Sequence, residues 1–470
     1  MRKKEPLGPG ESALSVATKK EWLAIILLIV VFSVSLTFVY DLWHTAACSM
    51  SLLEGHFRDF YEEAATRNGT IVYYPTIYFL FAIWNLIPSL LGLKWSEIIT
   101  SNVLFYEKCL GYFFLVIACV AIYKIAVHLY GNQKRARAVI LILLTIPYFF
   151  LISFPWGIYD PVYIAFVMWG IYFLLVKSDL KFTAFGLLCL ALAVSCKTFV
   201  FFMILPVLFY RFKKIWQLIL AGGTTVSVMG IECIIFRNSQ TFQETVLKPM
   251  DHFVATIFAF NFIGISFLIV ILILTCIWLY RIECNPENFS RFIWGSFLVT
   301  SSFIGMSLWN PGWPIMLMPY FALLTVGLPQ KDRKLVYLLN MCFAIFAINA
   351  VVTTRTPYFG ESAFVKSLLG GWLLKSEDLK YGFSLSAEIV EALFTSRIFK
   401  SDYNNYCSTA MFALLAHNVW FLNPWRVEKL QEEPTELLLN QDEKKTMYAC
   451  LLVPLVIYMA PIIAWVTTRI

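Results

Sequence analysis

Charge is scarce in this 470-residue chain: only 14 % of its residues are Asp, Glu, Lys or Arg, whereas 59 % are hydrophobic. A soluble globular protein carries about 25 % charged residues, and a disordered chain is poor in apolar ones. The mean hydropathy is +0.71, and long apolar runs recur from end to end. The composition therefore excludes a water-soluble enzyme and indicates that lipid surrounds most of the chain.

Several motifs that identify common chemistries are also missing. The chain has no GxxxxGK[ST] loop for a nucleotide phosphate and no HExxH zinc motif. Its 11 cysteines are an odd number, lie mostly within apolar runs, and form no CxxC pair or Cys/His metal spacing. Such cysteines are typical of small buried residues and not of a disulfide framework.

Basic residues exceed acidic ones, 37 against 30, and fall in short clusters between the apolar runs. Positive residues collect in the cytoplasmic loops of membrane proteins, so this distribution indicates membrane topology and no nucleic-acid partner. It also places the N-terminus in the cytoplasm. The clusters are Lys19-Lys20, Lys134-Arg135-Arg137, Arg211-Lys213-Lys214, Lys331-Arg333-Lys334 and Lys444-Lys445.

The apolar runs predict an all-α, polytopic integral membrane protein with about 13 transmembrane helices. The first run, 22–40, is read as a retained anchor, which places the next loop outside. If the run 73–93 also crossed, the basic cluster at 134–137 would fall outside, so we expect a flat interfacial helix there. The other expected spans are 104–130, 138–154, 160–176, 182–196, 198–210, 215–236, 255–280, 292–308, 314–328, 335–352, 405–423 and 447–467.

These spans divide the chain into four parts. Residues 1–21 are expected to form a cytoplasmic tail, and 22–352 a transmembrane core that includes the outer loop 41–103. A second outer loop is expected at 353–404. The remaining residues, 405–470, are expected to form a transmembrane pair joined by a cytoplasmic loop at 424–446.

The hairpin 182–210 is too short to cross the membrane twice. It has about 29 residues, whereas two full crossings need about 40 at 1.5 Å per residue. We therefore expect it to turn below the outer surface, at the turn that carries Lys197. A lysine at this depth either snorkels to the surface or faces a wet cavity or an anion such as a phosphate.

The first outer loop concentrates polar residues in the stretch "EGHFRDFYEE". If 54–66 is helical, His56, Asp59 and an acidic residue one turn later share one face. A carboxylate beside an imidazole can accept a proton from a sugar hydroxyl. The alternative is a solvated helix held by an Arg58–Glu62 pair.

Further polar residues lie in later outer segments. Asp160 precedes Pro161 and is either a helix N-cap or a ligand for a hydroxyl, a metal or a cation, and these roles are compatible. Trp313, in "WNPGWP", is either an interface anchor or a platform for a sugar ring. Arg355 begins a basic outer loop that could recognise anionic headgroups or a lipid-linked phosphate.

Together these segments resemble the GT-C class of membrane glycosyltransferases, especially the bacterial GPI-mannosyltransferase-like and polyprenyl-phosphate-mannose-dependent enzymes. "EGHFRDFYEEAATRNGTIVYYPTIYFLFAIWNL" resembles the first outer loop of that class, with Asp59 at the acidic position. "GIYDPVYIAF" resembles its GQYD turn, with Asp160 at the acidic position and Ile158 in place of glutamine. "AVSCKTFVFFMILPVLF" resembles its K-x-F…P hairpin, with Lys197 at the lysine, and "WNPGWPIMLMPYFALL" resembles a late turn and helix.

The resemblance implies an inverting glycosyltransferase in a bacterial cell membrane, with its active site outside the cytoplasm. It would move mannose or another hexose from a polyprenyl-phosphate donor to a glycan, lipid or protein acceptor. Dependence on Mg²⁺ or Mn²⁺ is left open. A membrane transporter or a flippase for lipid-linked sugars is the competing class, since it also uses charges within the membrane.

The same resemblance implies a role for each candidate residue. Asp59 would be the general base, and Lys197 would stabilise the leaving phosphate, with Arg58 and Arg355 as further cations. The residues implied to bind sugar or acceptor are His56, Asp160 and Trp313.

Overall fold

The computed structural model is an all-α bundle, as the sequence predicts, with one two-stranded hairpin in the part of the chain that it describes. The hairpin pairs Asn261–Phe262 antiparallel with Ile265–Ser266. The described residues are 16–37, 39–68, 71–177, 179–248, 261–262, 264–307, 312–354, 361–374, 403–425 and 438–467.

The helices are numbered here in chain order. They are α1 Lys19–Ser35, α2 Val39–Leu53, α3 Phe60–Asn68, α4 Pro75–Leu90, α5 Ser101–Tyr130, α6 Gln133–Thr145, α7 Pro147–Leu151, α8 Pro161–Ile171, α9 Leu180–Cys196, α10 Phe201–Arg211, α11 Ile215–Ile235, α12 Gln240–Phe242, α13 Phe267–Arg281, α14 Phe289–Met306, α15 Met318–Thr325, α16 Gln330–Thr354, α17 Glu361–Val365, α18 Leu368–Leu374, α19 Tyr403–Phe421 and α20 Gln441–Thr467. Helices α7, α8 and α12 continue as π-helical turns at Ile152–Trp156, Tyr172–Lys177 and Gln243–Leu247. Short 3₁₀ turns lie at Trp95–Glu97, Thr198–Val200, Pro286–Asn288 and Trp313–Leu317.

Three helices in the described part of the chain are long and apolar enough to cross a membrane: Ser101–Tyr130, Ile215–Ile235 and Gln441–Ala464. A fourth crossing results if α6 and the segment Pro147–Trp156, which meet at a 64° bend, act as one span. Other apolar helices have only 10–17 residues. Helices able to span a membrane are therefore present, while the number of about 13 stays a prediction.

The outer faces of these helices are apolar, as a lipid environment requires. Helix α11 shows this clearly, because Ile219 is 70 % exposed and Ile234 is 67 % exposed. Only Ala221, Thr225 and Glu232 of this helix are buried. An apolar side chain left in water forgoes about 1.5–3 kcal/mol of burial free energy. The surface of α11 is therefore suited to lipid, and its inward stripe includes a carboxylate.

The condition that 54–66 is helical throughout is not met, because only 60–66 is helical. The chain instead forms α2 over Val39–Leu53, turns at Gly55, and begins α3 only at Phe60. Gly55 has φ +95°, a backbone conformation that glycine adopts without steric strain from a Cβ atom. His56 and Asp59 therefore lie in a turn and not on the face of a helix.

The helix predicted over 255–280 is described only from Phe267 onward. Its N-cap is Ser266, whose hydroxyl accepts a hydrogen bond from the backbone N–H of Ile269. Ser266 also belongs to the short β-hairpin, so strand pairing and not a longer helix satisfies the backbone just before α13. Apolar periodicity alone does not distinguish these two structures.

Helix α20 begins at Gln441, before the predicted span 447–467, so its first turns belong to the predicted loop 424–446, whose place in the cytoplasm stays a prediction. Glu443 lies within this helix and accepts hydrogen bonds from Nε and Nη2 of Arg333 on α16, at 2.7 and 2.9 Å. The hydroxyl of Tyr337 donates to the same carboxylate at 2.9 Å. This buried, hydrogen-bonded ion pair joins α16 to α20 and fixes where the last helix begins.

The turn predicted within the hairpin 182–210 is confirmed at Lys197. Helix α9 ends at Cys196, Lys197 is extended with φ −159° and ψ 115°, and a 3₁₀ turn leads into α10. The 17 residues of α9 span about 25 Å, less than the ~30 Å hydrocarbon core of a bilayer. The depth of the turn in the membrane stays a prediction.

Candidate functional site

The turn before α8 and the turn after α9 meet at a buried ion pair. Nζ of Lys197 lies 2.5 Å from Oδ1 of Asp160. The Asp160 side chain has no exposed surface, and the Lys197 side chain is 10 % exposed. The structure therefore brings together two residues that the sequence singled out 37 positions apart.

The Asp160 side chain does not cap the N-terminus of α8. Asp160 has helical backbone angles and makes no side-chain capping hydrogen bond, while Pro161 occupies the first helical position. The preceding π-helical turn ends at Gly157, which has φ +64°. A Cβ atom on Gly157 would lie 2.1 Å from Cε of Lys108 and would also strain the backbone. The turn therefore presents the carboxylate to Lys197.

Two tyrosines frame the ammonium group of Lys197. Nζ lies 5.9 Å from the ring centroid of Tyr159 and 5.5 Å from that of Tyr163. Both phenolic hydroxyls and Oδ2 of Asp160 are buried, and their nearest polar neighbours, Tyr163 with Asp160 and Tyr159 with Tyr73, do not meet standard hydrogen-bond geometry. Buried polar atoms normally have partners, so this group of atoms is suited to a polar ligand or to water.

A second carboxylate, Asp41 on α2, lies within electrostatic range of Asp160. Oδ1 of Asp41 is 3.6 Å from Nε2 of the buried His44, and its side chain is 17 % exposed. The imidazole of His44 stacks on Tyr73, with ring centroids 5.8 Å apart and planes at 9°. Tyr73 in turn meets Tyr159 edge-on at 5.8 Å. A chain of rings thus connects the Asp41–His44 pair to the Asp160–Lys197 pair.

Asp41 is not among the residues that the sequence motifs predict. This residue falls at the end of the first apolar run, where it resembles an ordinary residue of the membrane interface. The available signal was an acidic residue directly after the anchor with a histidine three positions later, which a helix places on the same face. The spacing is informative only if 41–44 is helical, and the apolar runs predict no helix there.

Lys108 holds together the end of α1 and the turn before α8, the two segments that lead to Asp41 and Asp160. It is fully buried on α5, and Nζ donates to the backbone carbonyls of Ser33, Leu36 and Pro155 at 2.9, 2.7 and 3.1 Å. Two of these carbonyls belong to the end of α1, just before Asp41, and the third to the turn before α8. One ammonium group therefore satisfies carbonyls at two helix ends that lack helical partners.

His56 and Asp59 pair with each other at the surface. Nδ1 of His56 donates to Oδ2 of Asp59 at 3.0 Å, and the Asp59 side chain is 60 % exposed. This hydrogen bond lowers the pKa of the Asp59 carboxyl below its usual value. Among the described residues, Asp59 makes no hydrogen bond or ion pair with Asp160 or Lys197. A lowered pKa makes a carboxylate a weaker base.

The rest of the first loop is held by other contacts. Arg58 is exposed, and the expected Arg58–Glu62 pair is absent from the described contacts. Glu62 instead accepts a hydrogen bond from the hydroxyl of Ser239 at 2.6 Å. Arg67 pairs with two acidic side chains, Glu54 at 2.5 Å and Glu63 at 2.7 Å.

Gly312, the residue before Trp313, packs closely against the Asp160 carboxylate. The indole is 8 % exposed and packs on Phe199, with ring centroids 4.1 Å apart, and on Phe303 at 5.2 Å. Phe199 follows Lys197 by two residues, so this aromatic contact supports the turn that carries the lysine. Arg355, the remaining candidate, lies outside the described residues.

Gly312 leaves room for the Asp160 carboxylate, and Gly312→Ala tests this closeness. A Cβ atom at position 312 would lie 2.5 Å from Oδ2 of Asp160. We expect the alanine variant to lose about 1–3 kcal/mol of stability, the usual cost of overpacking. Thermal unfolding of the purified protein measures the loss.

The matched control is Gly230→Ala on α11, where a Cβ atom would meet nothing within 4 Å. This variant should be as stable as the parent or slightly more stable, because alanine favours helix over glycine by about 1 kcal/mol. If the two variants unfold alike, the close packing of Gly312 on Asp160 is incorrect.

Among the described residues, no group of three or more His, Cys, Asp or Glu side chains is placed to hold a metal ion. Asp41 and Asp160 are within electrostatic range of each other. Lys197 already binds one oxygen of Asp160. The described donor set thus fits an ammonium group better than a divalent cation.

The sequence matches no protein-family model and no curated protein. The fold is similar to the crystal structure of ArnT from Cupriavidus metallidurans bound to undecaprenyl phosphate, with 11 % sequence identity and a TM-score of 0.45. The matched region covers 86 % of this chain and 77 % of that chain.

Proposed function

We propose that this chain is a GT-C-type membrane glycosyltransferase that moves a sugar from a polyprenyl-phosphate donor to an acceptor hydroxyl on the outer side of the membrane. The observation that supports this function best is the buried Asp160–Lys197 pair with Asp41 in electrostatic range. Burying such charges is costly, and in membrane proteins they are generally functional. The motifs around Asp160 and Lys197 support the same class.

Lys197 stabilises the lipid phosphate as it leaves. An ammonium group has three N–H donors, and in the described part of the structure one of them engages Asp160. The pair orients the amine, so its other N–H groups can bind phosphate oxygens. When the bond between the anomeric carbon and the phosphate oxygen breaks, its electron pair stays on the phosphate. A fixed positive charge favours that step.

Asp41 is the better placed general base. It is partly exposed, so an acceptor hydroxyl can reach it, whereas Asp160 is fully buried and paired with Lys197. Asp41 removes the proton of the acceptor hydroxyl as its oxygen attacks the anomeric carbon with inversion. His44, 3.6 Å from Asp41, orients the carboxylate. The sequence-based assignment of Asp59 as the base is the alternative.

The remaining candidates bind substrate in this proposal. His56, Asp59 and Arg58 form the polar edge of the first outer loop and contact the acceptor. Trp313 lines the sugar site, and Arg355 adds positive charge for the lipid phosphate. The donor sugar is mannose or another hexose, the acceptor is a glycan, lipid or protein, and the host is a bacterial cell membrane. No step requires Mg²⁺ or Mn²⁺, because Lys197 supplies the positive charge.

Transfer of label tests the proposed function. Purified protein in lipid nanodiscs is supplied with polyprenyl phosphate carrying tritiated mannose and with cell membranes as the source of acceptor. We expect the label to enter a covalent product while free polyprenyl phosphate forms in equal amount. Heat-inactivated protein is the control.

The same labelled donor distinguishes the competing class. In sealed proteoliposomes, donor that crosses to the opposite leaflet without forming a covalent product would indicate a transporter or flippase and would overturn the transferase proposal. Mannosyl donor that is left intact, while another polyprenyl-phosphate hexose is consumed, would support the transferase class and correct the sugar.

A further inference from the structure

A buried hydrogen-bonded junction joins three helices next to the Asp160–Lys197 pair. Oε1 of Glu232 on α11 accepts hydrogen bonds from both the backbone N–H and the hydroxyl of Thr76, each at 2.7 Å. The hydroxyl of Ser195 donates to Oε2 of Glu232 and lies 2.7 Å from Oγ1 of Thr76. All three side chains are at most 8 % exposed. This carboxylate therefore joins α11 to the start of α4 and the end of α9.

Each of the two joined segments leads directly to the site. Ser195 belongs to the last turn of α9, and Lys197 follows two residues later, with its backbone N–H bonded to the carbonyl of Ala193 at 3.0 Å. Thr76 lies three residues after Tyr73, the ring that packs edge-on against Tyr159. A shift of the end of α9 would therefore move Lys197, and a shift of the start of α4 would move Tyr73.

The chemistry of the junction explains why a carboxylate is present. The N-terminus of α4 has no cap of its own, because its N-cap residue Tyr74 makes no side-chain capping hydrogen bond. The first N–H groups of a helix need acceptors, and negative charge is favoured there. Glu232 supplies both an acceptor and a negative charge from the buried side of α11, whose outer face is apolar. Among the described residues, Glu232 makes no hydrogen bond or ion pair with Asp160 or Lys197.

We propose that Glu232 is a positioning residue that holds the Lys197 ammonium group in register with the lipid phosphate. This inference rests on the proposed function, since it concerns the same phosphate site. Glu232 acts through Ser195 and the end of α9 and touches neither the donor nor the reacting atoms.

The test compares the binding of polyprenyl phosphate with that of the neutral polyprenol in lipid nanodiscs. Glu232→Gln should weaken polyprenyl phosphate binding by about tenfold, the effect of losing a charge-assisted hydrogen bond. Binding of polyprenol should not change, because it does not depend on the ammonium group. Ser195→Ala, which removes only the α9 arm and leaves the cap of α4 intact, should show the same selective loss.

A double variant tests whether the effect passes through Lys197. In a Lys197→Met background, adding Glu232→Gln should cause no further loss of phosphate binding, since coupled residues are not additive. The matched control is Glu244→Gln, the same chemical change at an exposed carboxylate that accepts a hydrogen bond from Gln240 at 3.0 Å. This control should bind both lipids as the parent does.

The outcomes separate the two proposals. If the parent binds polyprenyl phosphate no better than polyprenol, the proposed function fails and this inference fails with it. If the parent discriminates but Glu232→Gln and Ser195→Ala discriminate equally well, Glu232 is not a positioning residue and the proposed function stands. If both variants lose polyprenol binding as well, the junction is a general structural support and the inference is overturned.

Discussion

Asp41→Asn is expected to lower the rate of sugar transfer by about 10²–10⁴-fold, the range over which a general base contributes. Asparagine has nearly the shape of aspartate but cannot accept a proton at neutral pH. Because the side chain is 17 % exposed and asparagine is nearly isosteric with aspartate, the fold should tolerate the change. Single-turnover transfer of labelled sugar, with unfolding temperature as the check on folding, measures the loss.

Asp59→Asn is the matched comparison for this prediction. Asp59 is largely exposed, and its hydrogen bond with His56 lowers its pKa and therefore its strength as a base. We expect the variant to keep most of its maximal rate and to change mainly the apparent affinity for the acceptor. If Asp59→Asn abolishes transfer while Asp41→Asn remains active, the sequence-based assignment was correct and Asp41 must be withdrawn as the base.

Lys197→Met should slow transfer strongly and also destabilise the protein. Methionine retains the apolar length of the side chain but leaves Asp160 as a buried carboxylate without its cation. Removing one partner of a buried ion pair typically costs about 3–5 kcal/mol. Loss of the charge opposite the leaving phosphate should lower the rate by about 10²–10³-fold, as for the loss of other groups that stabilise developing negative charge.

The double variant Lys197→Met with Asp160→Asn separates these two effects. With both charges removed, most of the lost stability should return, because no unpaired charge stays buried. Transfer should not return, because the ammonium group is still missing. Thermal unfolding and the labelled-donor assay report the two quantities independently. Recovery of transfer in the double variant would show that Lys197 only neutralises Asp160.

Sequence patterns located most helices because lipid requires long apolar runs. Helix α5 at Ser101–Tyr130 and α11 at Ile215–Ile235 lie close to the predicted spans 104–130 and 215–236. The turn at Lys197 lies where the predicted spans 182–196 and 198–210 meet, whereas the depth inferred from their length stays a prediction. The chain departs from the pattern at 54–66, where a glycine turn separates two helices, and at 265–266, where strand pairing precedes α13.

The sequence by itself determined the membrane class and the turn that carries Lys197, and it singled out Asp160 and Lys197 as charges in an apolar chain. These are local properties, since hydropathy, spacing and charge can be read along the chain. Only the tertiary structure decided that these two residues pair, that Asp41 lies within electrostatic range of Asp160, and that Glu232 joins the helices leading to the pair. Such contacts depend on which helix ends pack together, and the sequence separation of 37 residues between Asp160 and Lys197 carries no record of that packing.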